Sequence, residues 1–448
     1  MRRRVCALAA VTAVGITLAG CGSGEQTASP SPSATTSSTA PVTDPAEVTL
    51  GVWGDDTQVA AWTQAVDAYN GATDLAHVTL TSWADDASML TAFADASTAV
   101  PDVFLISRGD LAQLETETKV EPVDSYLDAR NVDIGDEYSR DALEAFSSDH
   151  HLQCMPFGVS PEVVYYNSDL VDFARMKAKG VDVPDIDSSK SWTWDEFQLA
   201  AQEAASQDGV KAFSVTPSLA GIAPFVLAAG GTLASEDDTS LTLSDDDTLD
   251  ALGKVLPVLS NPTLTTTATA AKQLRWFKKG KLAMMVGDRS LVPQLRAQSD
   301  ATGLRWDVLP IPKIDTAATV GDYTALCLSA DSEHIEDAAD LLVGMSSETG
   351  VVPLAATGEV VPVNQKVALS EDFLQPDLSP LHSSVFVQTV RSMRILPLTH
   401  QWEALEAAVT AQVANLFIPG QLPVAIDQLA EQIDETSRGI LDAAAGAS

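Results

Sequence analysis

The sequence of 448 residues is poor in basic residues. It has 26 lysine and arginine residues against 62 aspartate and glutamate residues, which gives a formal net charge of -36 at pH 7. Binding to nucleic acid or to anionic lipid headgroups requires clustered positive charge, so this composition argues against both partners. The acidity indicates a well-solvated surface, and a specific cationic ligand is the second explanation for it.

Recognisable catalytic motifs are also missing. The sequence has no His-Glu-x-x-His pattern, no Gly-x-Ser-x-Gly elbow, no Gly-x-x-x-x-Gly-Lys phosphate loop and no cluster of histidine and cysteine. Carboxylate pairs such as Asp55 and Asp56 could imitate a glycosidase, but 62 acidic residues make chance pairs inevitable. We therefore predict no enzyme, no cofactor and no metal site, with a secreted hydrolase as the weakest alternative.

A long apolar run occurs at the N-terminus. Arginines at positions 2 to 4 precede the apolar stretch from Val5 to Leu18, and Cys21 follows the small residues Ala19 and Gly20. This pattern predicts a secretory signal peptide over residues 1–20, too short to span a membrane as a mature helix. The cysteine resembles a bacterial lipobox, which implies diacylglyceryl attachment to Cys21 and anchoring on the extracytoplasmic face of the cell membrane.

The next segment, residues 21–46, holds the lipidated cysteine and a run of Ser, Thr, Pro, Ala and Gly. Such a composition cannot offset its ordering entropy, so we predict a disordered linker. From Val48 onward about 400 residues remain, which on the usual length per domain indicates two or more domains.

Apolar strand patterns alternate with helical patterns at the start of this body. Strands are predicted over Val48–Trp53, His77–Trp83 and Val103–Ser107, and helices over Thr57–Tyr69 and Ala87–Ala96. This order predicts an α/β fold with parallel strands, whose carboxyl ends carry the ligand-binding groups.

Five short motifs follow one another along the body. They read VPDV at 100–103, CMPFG at 154–158, EVVYYNSDL at 162–170, WTWDEF at 192–197 and KGKLAMM at 279–285. In this order they resemble the family 1 extracellular solute-binding proteins of ABC importers, which include the maltose- and oligosaccharide-binding receptors. The resemblance runs from Val48 to the region of Leu441.

The resemblance implies a two-lobed, type II periplasmic-binding-protein fold, in which each lobe is a mostly parallel sheet flanked by helices and hinge strands join the lobes. Residues 47–153 with 328–375 would form lobe 1, and residues 158–323 with 380–448 would form lobe 2. The protein would be a monomer that binds a mono- or oligosaccharide in the cleft, closes around it and delivers it to the membrane permease.

Sugars combine apolar ring faces with many hydroxyl groups, so aromatic platforms and planar polar side chains bind them well. Strand-end positions and the resemblance give these ligand-binding candidates: Trp53, Asp55, Asp56, Trp83, Ser107, Arg108, Asp110, Ser160, Tyr165, Phe225, Asp288, Arg289, Asp322 and Tyr323. Asp288 and Arg289 stand where family members often carry a tryptophan, which admits a smaller or more polar solute. The loop from Pro217 to Phe225 could supply the missing aromatic group.

Two cysteines, Cys154 and Cys327, remain in the body after Cys6 and Cys21. The resemblance places both on neighbouring crossing strands, and with an oxidising compartment this gives the hypothesis of a disulfide bond.

Within binding proteins a second interpretation is a receptor for a cationic solute such as a polyamine, with the cleft aspartates as charge partners. A third is a lipoprotein that senses a solute for a signalling partner.

Overall fold

A computed structural model describes residues 45–74, 76–95, 97–135, 137–186, 191–235, 240–395, 402–418 and 426–445. The predicted signal peptide, Cys21 and all but the last two residues of the predicted linker lie outside the described residues. Within those ranges, no helix combines the length and the apolar character that crossing a membrane requires. The chain from Pro45 onward forms one compact unit.

The strands fall into two large sheets and one hairpin. Their bounds are β1 Ala46–Trp53, β2 Ala76–Trp83, β3 Val103–Ser107, β4 Val120–Glu121, β5 Ser147–Ser148, β6 His151–Leu152, β7 Cys154–Pro161, β8 Val163–Asn167, β9 Lys211–Val215, β10 Thr265–Thr267, β11 Leu282–Gly287, β12 Trp306–Leu309, β13 Thr319–Ser329, β14 Val361–Pro362 and β15 Met393–Ile395. The α/β fold is confirmed, and the three predicted strands at the start of the body coincide with β1, β2 and β3 to within two residues.

The first sheet has the strand order β14-β7-β13-β3-β1-β2, and β4 and β15 also pair with β13. Strand β1 is parallel to β2 and β3, while β13 is antiparallel to both β3 and β7. Strand β7 therefore runs in the same direction as β3. The carboxyl ends of β1, β2, β3 and β7 consequently lie along one edge of this sheet.

The second sheet has the order β10-β9-β11-β8-β12. Strands β9, β10 and β11 are parallel, and β8 runs antiparallel to β11 with Val163 opposite Gly287. The carboxyl ends of the three parallel strands thus lie beside the first residue of β8. One hydrophobic core contains the first sheet together with one face of β8, β11 and β12, and a second core lies on the other face of the second sheet.

A short link at Pro161–Val163 leads from β7 of the first sheet into β8 of the second. Asp322 of β13 lies opposite Ser160, and the amide of Glu162 donates to the carbonyl of Val320 at 2.9 Å. The carboxyl edges of the two sheets therefore meet at this link. Open α/β sheets bind ligands outside this edge.

The helices cover the faces of both sheets. Their bounds are α1 Asp56–Ala72, α2 Asp86–Ala94, α3 Leu111–Thr116, α4 Asp124–Ala129, α5 Arg140–Ala145, α6 Phe173–Ala178, α7 Trp194–Ala205, α8 Leu219–Ala228, α9 Asp246–Leu259, α10 Ala270–Lys278, α11 Val292–Thr302, α12 Ile335–Ser346, α13 Glu348–Thr357, α14 Gln365–Ala368, α15 Glu371–Leu374, α16 Ser384–Thr389, α17 Trp402–Asn415 and α18 Ile426–Ala445. Capping boxes start α1 at Asp55 and α7 at Thr193, so local sequence fixes where both helices begin.

The division into lobes stays a prediction, but hydrogen bonding bears on its boundaries. Residues 158–161 and 319–323 were assigned to lobe 2, yet their ladder extends the first sheet because β7 and β13 stay paired up to the link. Cys154 and Cys327 face each other at the opposite end of the same ladder, and their sulfur atoms are bonded with the Cα atoms 4.4 Å apart. The bond therefore joins two strands of one sheet and does not connect the two sheets.

Candidate functional site

Three aspartates lie where the strands of the first sheet end. Asp86 follows β2 and accepts a hydrogen bond from the Ser107 hydroxyl at 3.0 Å, Asp110 follows β3, and Asp322 lies on β13. We call Asp86, Asp110 and Asp322 the carboxylate cluster. Ser107, Asp110 and Asp322 were predicted from the sequence, and the structure brings them together.

Two members of the carboxylate cluster, Asp110 and Asp322, have raised pKa values. Burial, followed by the charges of Asp86 and Asp322, raises the pKa of Asp110 to about 7. Burial and Asp86 likewise raise the pKa of Asp322 to about 6, against the opposing effect of the Arg108 guanidinium. A nearby cation or a set of hydrogen-bond donors would stabilise the ionised forms of both groups.

Of the buried polar atoms at this edge that have no hydrogen-bond partner within the described residues, two bear on ligand binding. They are the indole nitrogen of Trp53, at the end of β1, and the Oδ2 atom of Asp110. An unpaired buried donor or acceptor costs about 1 to 3 kcal/mol, so native proteins seldom leave one without a functional reason. The indole can donate and the carboxylate can accept, and a polar ligand can satisfy both.

The other predicted residues of the first sheet have mixed roles. Trp83 packs edge-on against Phe93, with ring centroids 5.8 Å apart, so part of its surface belongs to the core. Asp55 accepts hydrogen bonds from the amides of Thr57 and Gln58, while Asp56 is exposed in the first turn of α1. Asp55 is therefore engaged in helix capping.

The second sheet contributes a cavity of about 400 Å³ at its own carboxyl edge. It is lined by Glu162, Ser214, Val215, Thr216, Ser218, Ala220, Gly221, Ala270, Ala271, Gln273, Leu274, Met285, Val286, Gly287, Asp288, Ser290 and Leu291. We call it the lobe-2 cavity. Glu162 connects it to the carboxylate cluster, because Ser160 lies two residues before Glu162 and opposite Asp322. Of the predicted residues, Asp288 lines this cavity.

Burial raises the pKa of Glu162 to about 8, and the charge of Asp288 contributes. Among the described residues, the Glu162 carboxylate has no hydrogen-bonding side chain and no cation that would hold its charge. Two acidic groups, Glu162 and Asp288, therefore line this cavity, and no basic side chain lines it with them among the described residues.

Arg289 and Tyr165 do not face the cleft, contrary to prediction. The Arg289 guanidinium is fully buried between the rings of Phe373 and Phe386 and donates to the Ser383 hydroxyl and to the carbonyl of Phe373. Burial lowers its pKa to about 10. Tyr165 is also fully buried, and its hydroxyl donates to the Asp288 carbonyl at 2.5 Å. Both residues hold the turn that carries Asp288.

Phe225 is the third predicted residue that lies in the core. The expected loop from Pro217 to Phe225 is mostly helix, because Ser218 caps α8 and the helix continues through Pro224. Phe225 is fully buried beside the rings of Trp194 and Phe213. It cannot replace the aromatic group that Asp288 and Arg289 lack.

Tyr323 is the fourth predicted residue that lies in the core. It is 2% exposed, and burial together with the charge of Asp141 raises its pKa well above the usual range. Side chains alternate between the two faces of a strand, so Tyr323 points away from the face on which its neighbour Asp322 joins the carboxylate cluster.

Four polar residues of this region were missed from the sequence: Asp86, Glu162, Gln273 and Glu359. Asp86 follows a strand that ends at Trp83, so the strand-end rule could have found it. Glu162 opens a quoted motif, but its place at the link between sheets depends on the pairing of β7 with β13. Nothing local marks Gln273, in the first turns of α10, or Glu359, which is 5% exposed.

The described residues contain no group of three or more His, Cys, Asp or Glu side chains arranged to hold a metal ion.

A family model described as bacterial extracellular solute-binding protein matches residues 64–378 of this chain. The protein belongs to that family. The resemblance seen in the sequence motifs is thereby confirmed, and the family is one of binding proteins and not of enzymes.

A search of curated proteins finds no match to this solute-binding protein. Solved structures share its fold at low identity. The sugar-binding protein MalE from Xanthomonas citri is 17% identical with a TM-score of 0.73, over 89% of this chain and 98% of that one. The cyclic alpha-maltosyl-1,6-maltose binding protein from Arthrobacter globiformis is 16% identical with a TM-score of 0.71, over 89% and 100%.

A third structure is an ABC substrate-binding protein from Listeria monocytogenes in complex with cycloalternan. It is 18% identical with a TM-score of 0.70, over 90% of this chain and all of that one. The two-lobed periplasmic-binding-protein fold therefore extends over almost the whole chain.

Proposed function

We propose that this solute-binding protein is the receptor of an ABC importer and that it binds a carbohydrate, a mono- or oligosaccharide, between its two lobes. The observation that carries the proposal is the buried and unsatisfied pair formed by the Trp53 indole N–H and Asp110 Oδ2 at one sheet edge. A flat aromatic group beside carboxylates suits a ring with an apolar face and many hydroxyls. The carbohydrates named for the structural neighbours support the same class of ligand.

Both sheets would contribute to binding. The carboxylate cluster with Trp53 would contact the solute from lobe 1, and the lobe-2 cavity with Asp288 would contact it from the other side. A ligand that touches both sets stabilises the closed form, and it shifts the hinge equilibrium by its difference in affinity for the two forms. The closed monomer would then present both lobes to the permease.

The site of action follows from the N-terminal sequence. We propose removal of residues 1–20, lipidation of Cys21 and a flexible linker that keeps the body near the extracytoplasmic membrane face. Mass spectrometry of the protein released from bacterial membranes tests this, because an N-terminal peptide that begins at an unmodified residue would contradict lipidation.

Calorimetric titration of the body, residues 45–448, with neutral mono- and oligosaccharides tests the ligand class. We expect one class of sugar to bind with an affinity that barely changes between low and high salt. Trp53→Ala should weaken that binding by tenfold or more, because the buried indole N–H and its ring face are lost. Trp276→Ala is the matched control, since Trp276 packs under Lys211 and Lys272 and does not line either polar site. Equal loss in both variants would contradict the assignment of Trp53.

The carboxylate cluster gives a specific reason to keep a cationic solute, such as a polyamine, as the second candidate. Asp110 and Asp322 raise each other's cost of ionisation, and a bound dication would relieve it. Salt separates the two candidates, because screening weakens the binding of a dication and leaves that of a neutral sugar nearly unchanged. Binding that occurs with polyamines alone and falls with salt would replace the carbohydrate proposal.

A further inference from the structure

The lobe-2 cavity is acidic and has no aromatic platform. Its two charged lining residues are Glu162 and Asp288, and no lysine, arginine, histidine or aromatic side chain is among the described residues that line it. Its volume of about 400 Å³ is at the small end for ligand pockets, which suits one sugar ring and excludes a stacked oligosaccharide at this position.

A polar side chain of the lobe-2 cavity, that of Gln273, has an acceptor that no described residue uses. Gln273 is 4% exposed and donates its two amide hydrogens to Thr216 Oγ1 at 3.0 Å and to the Ala268 carbonyl at 2.8 Å. Its carbonyl oxygen accepts no hydrogen bond from the described residues. Gln273 lines the cavity, so its unused carbonyl oxygen is a candidate acceptor for a donor from a ligand.

Some donors of the cavity wall are already engaged. The hydroxyl and amide of Ser290 both donate to Asp288 Oδ1, at 2.5 and 3.0 Å, and the Ser214 hydroxyl donates to the Thr266 carbonyl. At the start of α8, the amide of Ala220 donates to Glu406. The Thr216 and Ser218 hydroxyls, which also line the cavity, accept hydrogen bonds from Gln273 and from the amide of Gly221. The two carboxylates are therefore the acceptors that distinguish this cavity.

The positive charge nearest in sequence lies outside the cavity. Arg289 follows Asp288, but its guanidinium lies between Phe373 and Phe386 in the core. No basic side chain among the described residues that line the cavity therefore neutralises Glu162 and Asp288, and the charge of Asp288 makes ionisation of Glu162 more costly.

We propose that the lobe-2 cavity binds a protonated amino group on the ligand, so that the preferred solute is an amino sugar. This rests on the carbohydrate-binding function proposed above. An ammonium group has three donors and no acceptor, and it meets the Glu162 carboxylate, the Asp288 carboxylate and the Gln273 carbonyl oxygen. A neutral hydroxyl has a single donor and no charge, so it would pair less strongly with the two carboxylates.

The test compares matched ligands by calorimetric titration of the body at one pH and ionic strength. Each amino hexose, and a disaccharide carrying it, is paired with its neutral parent and with its N-acetyl derivative, in which the charge is absent. We expect the amine to bind at least tenfold more tightly than both partners. Glu162→Gln and Asp288→Asn should each bring this ratio close to one. Asp208→Asn is the control. Asp208 is exposed, so this substitution removes the same charge elsewhere on the side of the second sheet.

The outcomes separate this inference from the function on which it rests. Sugars that bind without any preference for the amine would overturn the inference and leave the carbohydrate receptor standing. A preference that survives in both Glu162→Gln and Asp288→Asn would also overturn it. Binding of polyamines alone, or of no member of the panel, would overturn the carbohydrate function together with the inference.

Discussion

Removal of the disulfide between Cys154 and Cys327 should lower stability strongly without changing ligand binding. The two residues are 173 positions apart, and the loop-closure entropy for a loop of this length corresponds to about 5 kcal/mol. Both side chains are fully buried between β7 and β13, so replacement by alanine adds the loss of their packing. We expect the bond to be a main contributor to the stability of the first sheet.

Urea unfolding of the body, followed by fluorescence with and without reductant, measures this effect. The oxidised protein should unfold at a clearly higher urea concentration than the reduced protein and than the variant Cys154→Ala/Cys327→Ala. Sugar affinity below the unfolding transition should be equal in all three, because the bond lies at the end of the ladder that is distant from the link at Pro161–Val163. Two free thiols in the denatured, unreduced body, or equal midpoints with and without reductant, would refute the reasoning.

Two further predictions concern buried charges. Burial and the nearby Asp55 raise the pKa of Glu359 to about 7. As pH rises, the Glu359 carboxyl therefore loses its proton later in the folded state than in the unfolded state. The free energy of unfolding consequently falls as pH rises from about 4 through 7. Relative to Glu359→Gln, the wild type should lose about 3 kcal/mol between pH 4 and pH 8 in urea titrations, and parallel pH profiles would contradict this. Arg289→Ala should lower the free energy of unfolding by about 3 kcal/mol in the same assay, because it empties the space between two rings. Arg140→Ala, at an exposed site, should change the free energy of unfolding by no more than about 0.5 kcal/mol.

Local patterns predicted the strands of the first sheet well. The strand over Val103–Ser107 is apolar and follows Pro101, and the run over Val48–Trp53 ends at a glycine and two aspartates. These signals depend on neighbouring residues, and the structure has β1 and β3 at the predicted positions. The strand-end rule then placed Ser107 and Asp110 at one edge, and the resemblance to the family added Asp322.

The failures have a different physical origin. The predicted loop from Pro217 to Phe225 is wrong, because the Ser218 cap and the burial of seven residues of α8 outweigh the hydrogen bond that is missing at Pro224. Tyr165 was predicted as a ligand contact because one of two adjacent tyrosines on a strand can face a cleft, and Arg289 because the resemblance places its loop at the cleft. Their burial depends on Phe373 and Phe386, which lie far away in sequence, so no local signal could reveal it.

The turn after β11 divides two tasks between adjacent residues. Asp288 lines the cavity, whereas Arg289 fills the hydrophobic interior, and the Tyr165 hydroxyl fixes the backbone between them. A change at position 288 therefore alters what the cavity recognises while the neighbouring arginine keeps the turn in place. The protein can in this way acquire a new solute preference by a single substitution, without rebuilding the loop that presents it.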